Sequence, residues 1–420
     1  MRPLPSLPDW LTLEHRVAEI LTQQEIHGWY FDEPAAWQLT STLQRELEET
    51  CEILRNRYAF VKGSEFTPKR PNKTQGYVTG ATFTRLKELN PSSRDHIAWI
   101  LQTHHGWKPT QLTATGKPII DEPILKDIGI EASDMFLRVL TITKMLGMLS
   151  EGDNAWLKLV RKNRIHHHCS VATNTFRCAH RKPNLAQVPS DSEFRKLFRA
   201  TPGQTMVGAD LSGIELRMLA HYLARFDGGR YAEILLNGDI HQVNADKIGI
   251  SRRAVKTVTY AFLYGAGDAK LGRSYDPQLS EQQAKKKGKE IRQAYMDAVP
   301  GLEKLVTAVK SKAESGYINL CDGRRCYVDG SHKALNYLLQ GSSGVLARRW
   351  LLMAYENSKQ LSRAPLAFVH DELQYECDPA HADELAKILE ASAVQAGEFY
   401  NLRLPIAAEA KIGMNWSEVH

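Results

Sequence analysis

The stretch TMVGADLSGIELRMLAHYLARF, residues 205–226, passes from an apolar strand directly into a helix. The apolar run ends at Asp210, and Glu215 and Arg217 stand at the start of the helical segment. An acid at a strand end beside a helix start can serve as a ligand for a divalent cation. A strand-terminal aspartate is also common as a helix N-cap, so this stretch alone leaves both interpretations open.

A second stretch, SRRAVKTVTYAFLYGAGD at residues 251–268, repeats cations and aromatic rings every four residues. In a helix this spacing puts them along one stripe. The four side chains of the stripe are Arg252, Lys256, Tyr260 and Tyr264. Cations can hold the phosphates of a nucleotide and a ring can stack on its base. A solvated basic end that merges into an aromatic core would give the same spacing. His241, in GDIH, is a candidate for one further phosphate contact.

A third stretch, LAFVHDELQYECD at residues 366–378, predicts a β-hairpin whose tight turn carries Asp371 and Glu372. Adjacent acids in a turn are often merely exposed to solvent. Together with Asp210, however, they flank a helical block that bears the stripe of cations and rings. Two-metal phosphoryl transfer needs carboxylates for two divalent ions, roughly 3.5–4 Å apart, and cations for a triphosphate. Mg²⁺ suits such a site because it accepts a few carboxylate oxygens and completes its shell with water and phosphate.

The composition of the 420 residues is that of an ordinary globular protein, with 43% hydrophobic and 24% charged residues. It argues against collagen-like, coiled-coil and disordered chains. The net charge of +6 leans only mildly towards polyanionic partners. The six cysteines include no CxxC pair, so reduced thiols and a cytoplasmic location are expected. The sequence predicts neither a signal peptide nor a membrane span.

Hydrophobic periodicity predicts helices over residues 13–27, 32–56 and 122–160 and a helical block over 220–315, preceded by short β-like runs. This order predicts one α/β domain that is interrupted by a helical insertion and preceded by a helical arm. Residues 62–80 show neither period and combine Lys and Arg with Gly and Pro. They are interpreted as a solvated surface loop, with contact to a phosphate backbone as the alternative.

The segments DLSGIELR, RRAVKTVTYAFLYG and VHDE resemble motifs A, B and C of the family A (Pol I-like) DNA polymerases, in order and at comparable separations. Further segments, among them NPSSRDHI, HRKPNLAQVP and NWSEVH, are similar to the T-seven-type bacteriophage replicative polymerases. The resemblance covers most of the chain from about residue 13 onward.

The resemblance implies an α/β multidomain fold of the right-hand polymerase type, with an antiparallel palm sheet and helical fingers and thumb. The implied divisions are an N-terminal tail over 1–12, a thumb over 13–150 with the short basic loop 62–80, a palm over 151–219 and 336–420, and fingers over 220–335. The implied activity is template-directed DNA synthesis, in which dNTPs are added to a primer 3′-hydroxyl by two-metal-ion nucleotidyl transfer.

Transferred motif by motif, the resemblance assigns two Mg²⁺ ions to Asp210 and Asp371, with the carbonyl of Leu211 as a backbone ligand. These two acids are the predicted catalytic pair. Glu372 matches a family acid close to the metals and is a secondary catalytic candidate, with a turn-stabilising carboxylate as the alternative.

The other predicted site residues contact the two implied substrates, dNTPs and primer-template DNA. The nucleotide-binding candidates are His241, Arg252 and Lys256 for the triphosphate, Tyr260 beside the base and sugar, Glu215 as a steric gate against a ribose 2′-hydroxyl, and Tyr264 in the templating-base position. The DNA-binding candidates, near the minor groove or the terminal phosphate, are Arg177, Asn336, Gln340 and His370.

The sequence departs from the family pattern in several places. Phe176 and Ala261 stand where glycines are usual. The loop at 62–80 is about half the size of the insertion that binds host thioredoxin in the phage relatives, so support for that partner is weak. No exonuclease domain precedes the thumb, which predicts proofreading on a separate exonuclease subunit or none at all. Asp191-Ser192-Glu193 spells DxE but is interpreted as a loop.

Two other functions remain as alternatives at this point. One is a single-subunit RNA polymerase, which Glu215 opposes because a steric gate rejects ribonucleotides. The other is a catalytically silent DNA-binding subunit of a replisome, which the complete set of acids and cations opposes. If the chain is phage-encoded, its expected location is the host cytoplasm.

Overall fold

The computed structural model describes residues 7–190 and 192–420. Residues 1–6 of the predicted tail and Asp191 of the DxE sequence lie outside the described residues. The first helix begins at Asp9 rather than at residue 13. The hydrophobic periodicity of this helix does not extend to Asp9. The Asp9 carboxylate pairs with Arg349 at 2.5 Å, and this contact holds the first turn against the helix Ala334–Asn357.

The helices and strands follow the predicted order of helix-rich and mixed regions. Through residue 150 they are α1 (Asp9–His27), β1 (Trp29–Phe31), α2 (Glu33–Tyr58), β2 (Phe60–Phe66), β3 (Phe83–Glu88), α3 (Arg94–His105), α4 (Glu122–Ile128) and α5 (Glu131–Leu146). The next mixed region contains α6 (Trp156–Leu159), β4 (Arg164–Ile165), β5 (His168–Ser170), β6 (Ala179–Arg181), α7 (Ser192–Arg195), β7 (Phe198–Arg199) and β8 (Thr205–Leu211).

The second half begins with helices and ends with a mixed region. Its first part contains α8 (Ile214–Asp227), α9 (Arg230–Asn237), α10 (Ile240–Ile248), α11 (Arg252–Leu263), α12 (Asp268–Tyr275), α13 (Glu281–Ala298), α14 (Leu302–Ala313), β9 (Tyr317–Asn319) and β10 (Arg325–Tyr327). Its last part contains α15 (Ala334–Asn357), β11 (Arg363–Val369), β12 (Glu372–Cys377), α16 (Ala382–Phe399) and β13 (Ala408–Gly413).

A four-stranded antiparallel sheet in the order β11-β12-β8-β13 forms the centre of the molecule. Residues 206–209 of β8 are buried, which explains why this strand reads as an unbroken apolar run rather than as an alternating one. The helices α15 and α16 pack beside the sheet, and Trp350 of α15 is fully buried. The buried sheet and its packed helices therefore hold the ends of the strands in fixed positions.

The helices α12 and α13 pack so closely that two glycines replace side chains at their contact. A Cβ atom at Gly288 would lie 1.8 Å from the carbonyl oxygen of Asp268, and one at Gly272 would lie 2.0 Å from that of Ala284. Both obstacles are backbone atoms, which cannot rotate away. This contact fixes the segment that follows α11 against the rest of the helical block.

We expect Gly288→Ala to destabilise the protein although alanine is the better helix former. Overpacking costs about 1–3 kcal/mol or more, which exceeds the roughly 1 kcal/mol gained in helix propensity. The midpoint of urea unfolding measures the change. Gly147→Ala is the matched control, because a Cβ there meets no atom within 4 Å; equal stability of the two variants would contradict the packing argument.

Of the region predicted as the loop 62–80, residues 67–80 form a mostly exposed loop as expected, whereas residues 62–66 belong to strand β2. Strands β2 and β3 pair as an antiparallel hairpin with a register shift between Lys62 and Glu65. Most of their side chains are exposed, so no apolar alternation marks them in the sequence. Among the described helices, none is long and apolar enough to cross a membrane.

Candidate active site

The two aspartates predicted to act together lie at adjacent positions on the central sheet. Asp210 is near the end of β8, and Asp371 is in the turn between β11 and β12. The backbone nitrogen of Leu211 donates a hydrogen bond to the carbonyl oxygen of Asp371 at 3.0 Å. The backbone thus joins the two acid-bearing segments directly, although 160 residues separate them in the chain.

Negative charge accumulates at this edge of the sheet. Asp210 lies opposite Glu372 on one side and opposite Glu409 on the other. Directly opposed residues in an antiparallel sheet project to the same face, and like charges there repel one another. Glu409 is a residue that the sequence analysis missed, since only the strand register aligns it with Asp210.

The pKa values of both aspartates reflect this environment. Burial raises the pKa of Asp371 to about 7, and the charges of Asp210 and Glu215 act in the same direction while Arg177 opposes them. Asp210 retains exposed surface, yet partial burial among the surrounding groups raises its pKa to about 6, with further contributions from Glu372 and Glu215. Burial and like-charge repulsion together favour the protonated form of both groups, and a bound divalent cation would favour the ionised form.

We expect these raised pKa values to make the metal-free protein less stable as the pH rises. In the unfolded chain aspartate titrates near 4, whereas the folded pKa values are about 6 and 7. The folded state therefore binds more protons between about pH 4 and 7, and stability falls through that window. Asp371→Asn should melt at a higher temperature than wild type at pH 8 in chelator, with the difference shrinking towards pH 4. A lower melting temperature of the variant at pH 8 would contradict this assignment.

Glu372 is held by protein groups and does not stand free at the site. It is 5% exposed, and one carboxylate oxygen accepts hydrogen bonds from Trp416 Nε1 and Gln374 Nε2. The other oxygen lies 3.3 Å from His420 Nδ1. This geometry favours the turn-stabilising alternative, with Glu372 acting on Asp210 through its charge; its catalytic role stays a prediction. The sequence analysis missed all three partners, and two of them, Trp416 and His420, become neighbours of Glu372 only in the folded protein.

Glu215 lies in the first turn of α8, which begins directly after Gly213, a residue with a φ of +58°. Glu215 is 8% exposed, and its carboxylate accepts hydrogen bonds from Arg177 Nη2 at 2.6 Å and Tyr264 Oη at 3.0 Å. The Arg177 guanidinium also lies 5.9 Å from the centre of the Tyr264 ring. Three residues predicted from separate motifs thus form one cluster, and Glu215 and Arg177 both act on the charge of Asp371.

The predicted stripe lies along one face of helix α11. The residues Val255, Val258 and Phe262 of the same helix are buried on its opposite face. The rings of Tyr260 and Tyr264 stack 6.3 Å apart at an angle of 24°. Tyr264 is the residue just beyond the helix and is 43% exposed. The two tyrosines therefore do not simply belong to the apolar core, as the alternative interpretation of the stripe would require.

The cations of the stripe and His241 surround its solvent-facing end. Arg252 pairs with Asp239 at 2.6 Å, and both side chains are largely exposed. Lys256 is exposed and makes no ion pair within residues 7–190 and 192–420. The His241 ring lies 6.2 Å from that of Tyr260. Burial lowers the pKa of His241, and its Nδ1 atom has no hydrogen-bond partner in the described structure.

The four predicted DNA contacts lie on three different segments around this site. Asn336 Nδ2 donates a hydrogen bond to the carbonyl oxygen of Leu263 at 3.1 Å, so it also fixes the end of α11. Gln340 is half-buried one turn further along α15. His370 has a φ of +59° in the turn before Asp371, and burial lowers its pKa.

The departure at Phe176 has a structural explanation. Its φ is +57°, a conformation that favours glycine and costs other residues roughly 1 kcal/mol or more. The Phe176 ring lies 5.0 Å from the guanidinium of Arg324 and 5.8 Å from that of Arg348. These cation–π contacts offset the strain and leave Arg177 directed at Glu215. Ala261, the other departure, is an ordinary helical residue of α11.

The oxygen donors at the edge of the sheet fit a hard divalent cation. They are the carboxylates of Asp210 and Asp371 with the backbone carbonyl of Leu211. Within the described part of the chain, no group of three or more His, Cys, Asp or Glu residues is arranged to hold a metal. A hard divalent cation such as Mg²⁺ usually completes its coordination shell with water and substrate phosphate.

Comparison with known proteins decides the family. The profile described as DNA polymerase family A matches residues 68–418. The chain belongs to DNA polymerase family A. The DNA-directed DNA polymerases of Enterobacteria phage T3 and Escherichia phage T7 are each 32% identical to it, over 97% of this chain and 70% of the relative. The POL domain of Pol1 from M. smegmatis, solved with DNA primer-template and dNTP, superposes with a TM-score of 0.77 at 22% identity, over 97% of this chain and 70% of that chain.

Family membership confirms several expectations of the sequence analysis. This family A polymerase has the right-hand fold, with its antiparallel sheet as palm. It is a DNA-directed DNA polymerase that carries out template-directed DNA synthesis with divalent metal ions. The RNA polymerase and the silent replisome subunit are thereby set aside. The predicted domain boundaries and the roles of individual residues remain predictions.

Proposed function

We propose that this polymerase adds dNTPs to a primer 3′-hydroxyl with two Mg²⁺ ions held by Asp210, Asp371 and the carbonyl of Leu211. The observation that carries the proposal is the backbone hydrogen bond of 3.0 Å that joins the two acid-bearing segments beside the Glu215 cluster. When bound, the ions would lower the pKa of the primer hydroxyl and neutralise charge on the leaving pyrophosphate. Deprotonation of both aspartates is required for this binding.

The chain's own cations hold the triphosphate in this proposal. Arg252 and Lys256 stand on the exposed face of α11, one turn apart, and present fixed positive charge towards solvent. The buried Nδ1 atom of His241 lacks a partner, which supports a polar contact to a phosphate oxygen when the nucleotide arrives. The Tyr260 ring lies between the rings of His241 and Tyr264, and in this position it can stack on the nucleotide.

Selection of the substrates is assigned to the other end of the site. Glu215 is proposed to exclude a ribose 2′-hydroxyl and Tyr264 to occupy the templating position. The hydrogen bonds that hold the buried Glu215 to Arg177 and Tyr264 support this proposal. Arg177, Asn336, Gln340 and His370 are proposed to contact the duplex near its minor groove. Minor-groove acceptors are nearly the same for all base pairs, so such contacts test pair geometry without reading sequence.

Primer extension tests the proposed function directly. A labelled primer-template, four dNTPs and Mg²⁺ should give full-length product, and omission of one dNTP should stop synthesis at the matching template position. Product that ignores the omitted dNTP, or no product at any Mg²⁺ concentration, would overturn the proposal. Digestion of a mismatched primer by the same preparation would contradict the expectation that proofreading is either on a separate subunit or absent. The separate exonuclease subunit stays a prediction, and nothing supports a thioredoxin-type factor beyond the weak indication from the sequence.

We expect wild type to use ddTTP almost as readily as dTTP and Tyr260→Phe to discriminate against ddTTP. The phenolic hydroxyl can make a hydrogen bond that the missing 3′-hydroxyl otherwise supplies. A hydrogen bond to a charged group contributes about 1.5–3 kcal/mol, which corresponds to a change of about 10- to 100-fold in selectivity. Single-turnover incorporation measures the ratio. Tyr275→Phe, on α12, is the control, and strong rejection of ddTTP by wild type would refute the assignment.

A further inference from the structure

Three histidine rings lie in a column beside strand β11 and end at the turn that carries Asp371. The rings of His167 and His180 are 6.2 Å apart, and those of His180 and His370 are also 6.2 Å apart. The Nε2 atom of His167 donates a hydrogen bond to the carbonyl oxygen of Leu366 at 2.9 Å. The two steps of this histidine column match the roughly 13 Å that four strand residues span, so the column follows β11 from Leu366 to His370.

The middle ring of the histidine column lies behind the site. His180 is 8% exposed and belongs to β6, which pairs with β5. The other two rings of the column contact it on either side. His180 is therefore too buried to contact a duplex, and any effect on the substrate must pass through His370, which is only partly buried.

The unusual feature of His180 is the state of its two nitrogen atoms. Both Nδ1 and Nε2 are buried, and neither has a hydrogen-bond partner within the described residues. Burial lowers the pKa of His180 to about 3, so the ring is neutral at physiological pH and carries one donor and one acceptor. Burying such groups without a partner costs free energy that a phenyl ring would not cost. The position therefore calls for a polar partner.

The candidate partner is the inward-facing nitrogen of His370. Its Nδ1 atom is also buried and has no hydrogen-bond partner in the part of the chain that the structure describes. The rings of His180 and His370 meet edge to face, at 78°, and one water between them would satisfy an atom on each. A hydrogen bond at Nδ1 fixes the orientation of an imidazole and decides which of its nitrogens carries the proton.

The other polar neighbours of His370 are already engaged. Arg177, Glu215 and Glu372 act on His370 through their charges. Arg177 is hydrogen-bonded to Glu215, and Glu372 is held by hydrogen bonds of its own. Over residues 7–190 and 192–420, His180 supplies the only aromatic contact of the His370 ring. His180 is thus the neighbour that has both the position and the free nitrogens to orient that ring.

We propose that His180 is a positioning residue that fixes the ring of His370 against the last base pair of the primer, so that the polymerase extends a matched primer end in preference to a mismatched one. The inference rests on the proposed function, in which His370 contacts the duplex. His180 acts on Nδ1 and leaves the other nitrogen of His370 for the minor groove. A mismatched pair displaces its minor-groove atoms, and a fixed ring cannot follow them, whereas a loose ring can.

The test compares single-turnover extension from a matched and from a mismatched primer end. His370→Ala and His180→Phe should each narrow the ratio of the two rates by about 2- to 10-fold, the range that one hydrogen bond supplies. The double variant should narrow it no further, because both changes remove the same contact. The Kd for the incoming dNTP should stay unchanged. His180→Phe should melt no lower than wild type, since phenylalanine buries no unpaired polar atom.

Two amide variants and a remote histidine serve as controls. His180→Asn and His180→Gln bring an amide near the positions of Nδ1 and Nε2, so at least one of them should retain more discrimination than His180→Phe. His221→Phe makes the same change at a half-buried histidine of α8, whose Nδ1 atom accepts a hydrogen bond from the backbone nitrogen of Arg403. This control should keep the wild-type ratio. If His180→Phe does not fold, the smaller apolar variant His180→Leu takes its place.

The inference is overturned if His180→Phe keeps the wild-type ratio while His370→Ala narrows it, or if the two effects multiply in the double variant. It is also overturned if both amide variants discriminate as poorly as His180→Phe does. Failure of the proposed function looks different. In that case wild type would not extend primers, or His370→Ala itself would keep the wild-type ratio, and either result would overturn the inference as well.

Discussion

Asp371→Asn is expected to lower the rate of primer extension by about 10³-fold or more at saturating Mg²⁺. Asparagine keeps the size of the side chain but removes the negative charge that a divalent ion requires, and metal-assisted stabilisation of the transition state contributes several kcal/mol. The backbone carbonyl of residue 371, which accepts the hydrogen bond from Leu211, is retained. The turn and the sheet should therefore stay intact, and the affinity for primer-template, measured by anisotropy, should change little.

The control for this prediction is an acid-to-amide change outside the site. Asp383 is exposed in the first turn of α16, so Asp383→Asn should extend primers at the wild-type rate. An Asp371→Asn variant that stays within tenfold of wild type would show that the two-aspartate site is not the catalytic centre. Loss of DNA affinity in parallel with the rate would instead indicate a damaged fold.

The parts of the structure that the sequence predicted well are those with local signals. The unbroken apolar run before Asp210 is buried in β8 on the central sheet, and the acids of the VHDE turn lie between two paired strands. The spacing of four in the stripe corresponds to one face of α11. In each case the hydrophobic pattern of a single segment, which reflects the burial of that segment, was sufficient to predict its structure.

The parts that were missed depend on contacts between distant segments. The sequence around Glu372 does not predict that Trp416 and His420 will contact its carboxylate. These two residues follow β13, and they come close to Glu372 only because β13 pairs with β8. Glu409 reaches Asp210 through the same register. Strands β2 and β3 were missed for the opposite reason, since an exposed hairpin buries no alternating face and leaves no periodic pattern.

Glu215→Ala is expected to let the polymerase insert ribonucleotides about 10²-fold more efficiently relative to dNTPs. The Glu215 carboxylate is buried and fixed by Arg177 and Tyr264, so it cannot move aside for a 2′-hydroxyl. Forcing an extra group against a fixed wall costs about 1–3 kcal/mol or more, and alanine removes that wall. Incorporation of UTP and dTTP opposite the same template adenine, each under single-turnover conditions, measures the ratio.

The amide Glu215→Gln separates bulk from charge in this selection. Glutamine fills the same space, so a steric gate should still exclude the ribonucleotide even though the pairing with Arg177 is weakened. Both variants should add dNTPs more slowly, because each loosens Arg177 and Tyr264 beside Asp371. If Glu215→Gln accepted UTP as well as Glu215→Ala does, then the charge of Glu215, acting through Arg177 and the pKa of Asp371, would control the choice of sugar, and the steric explanation would be wrong.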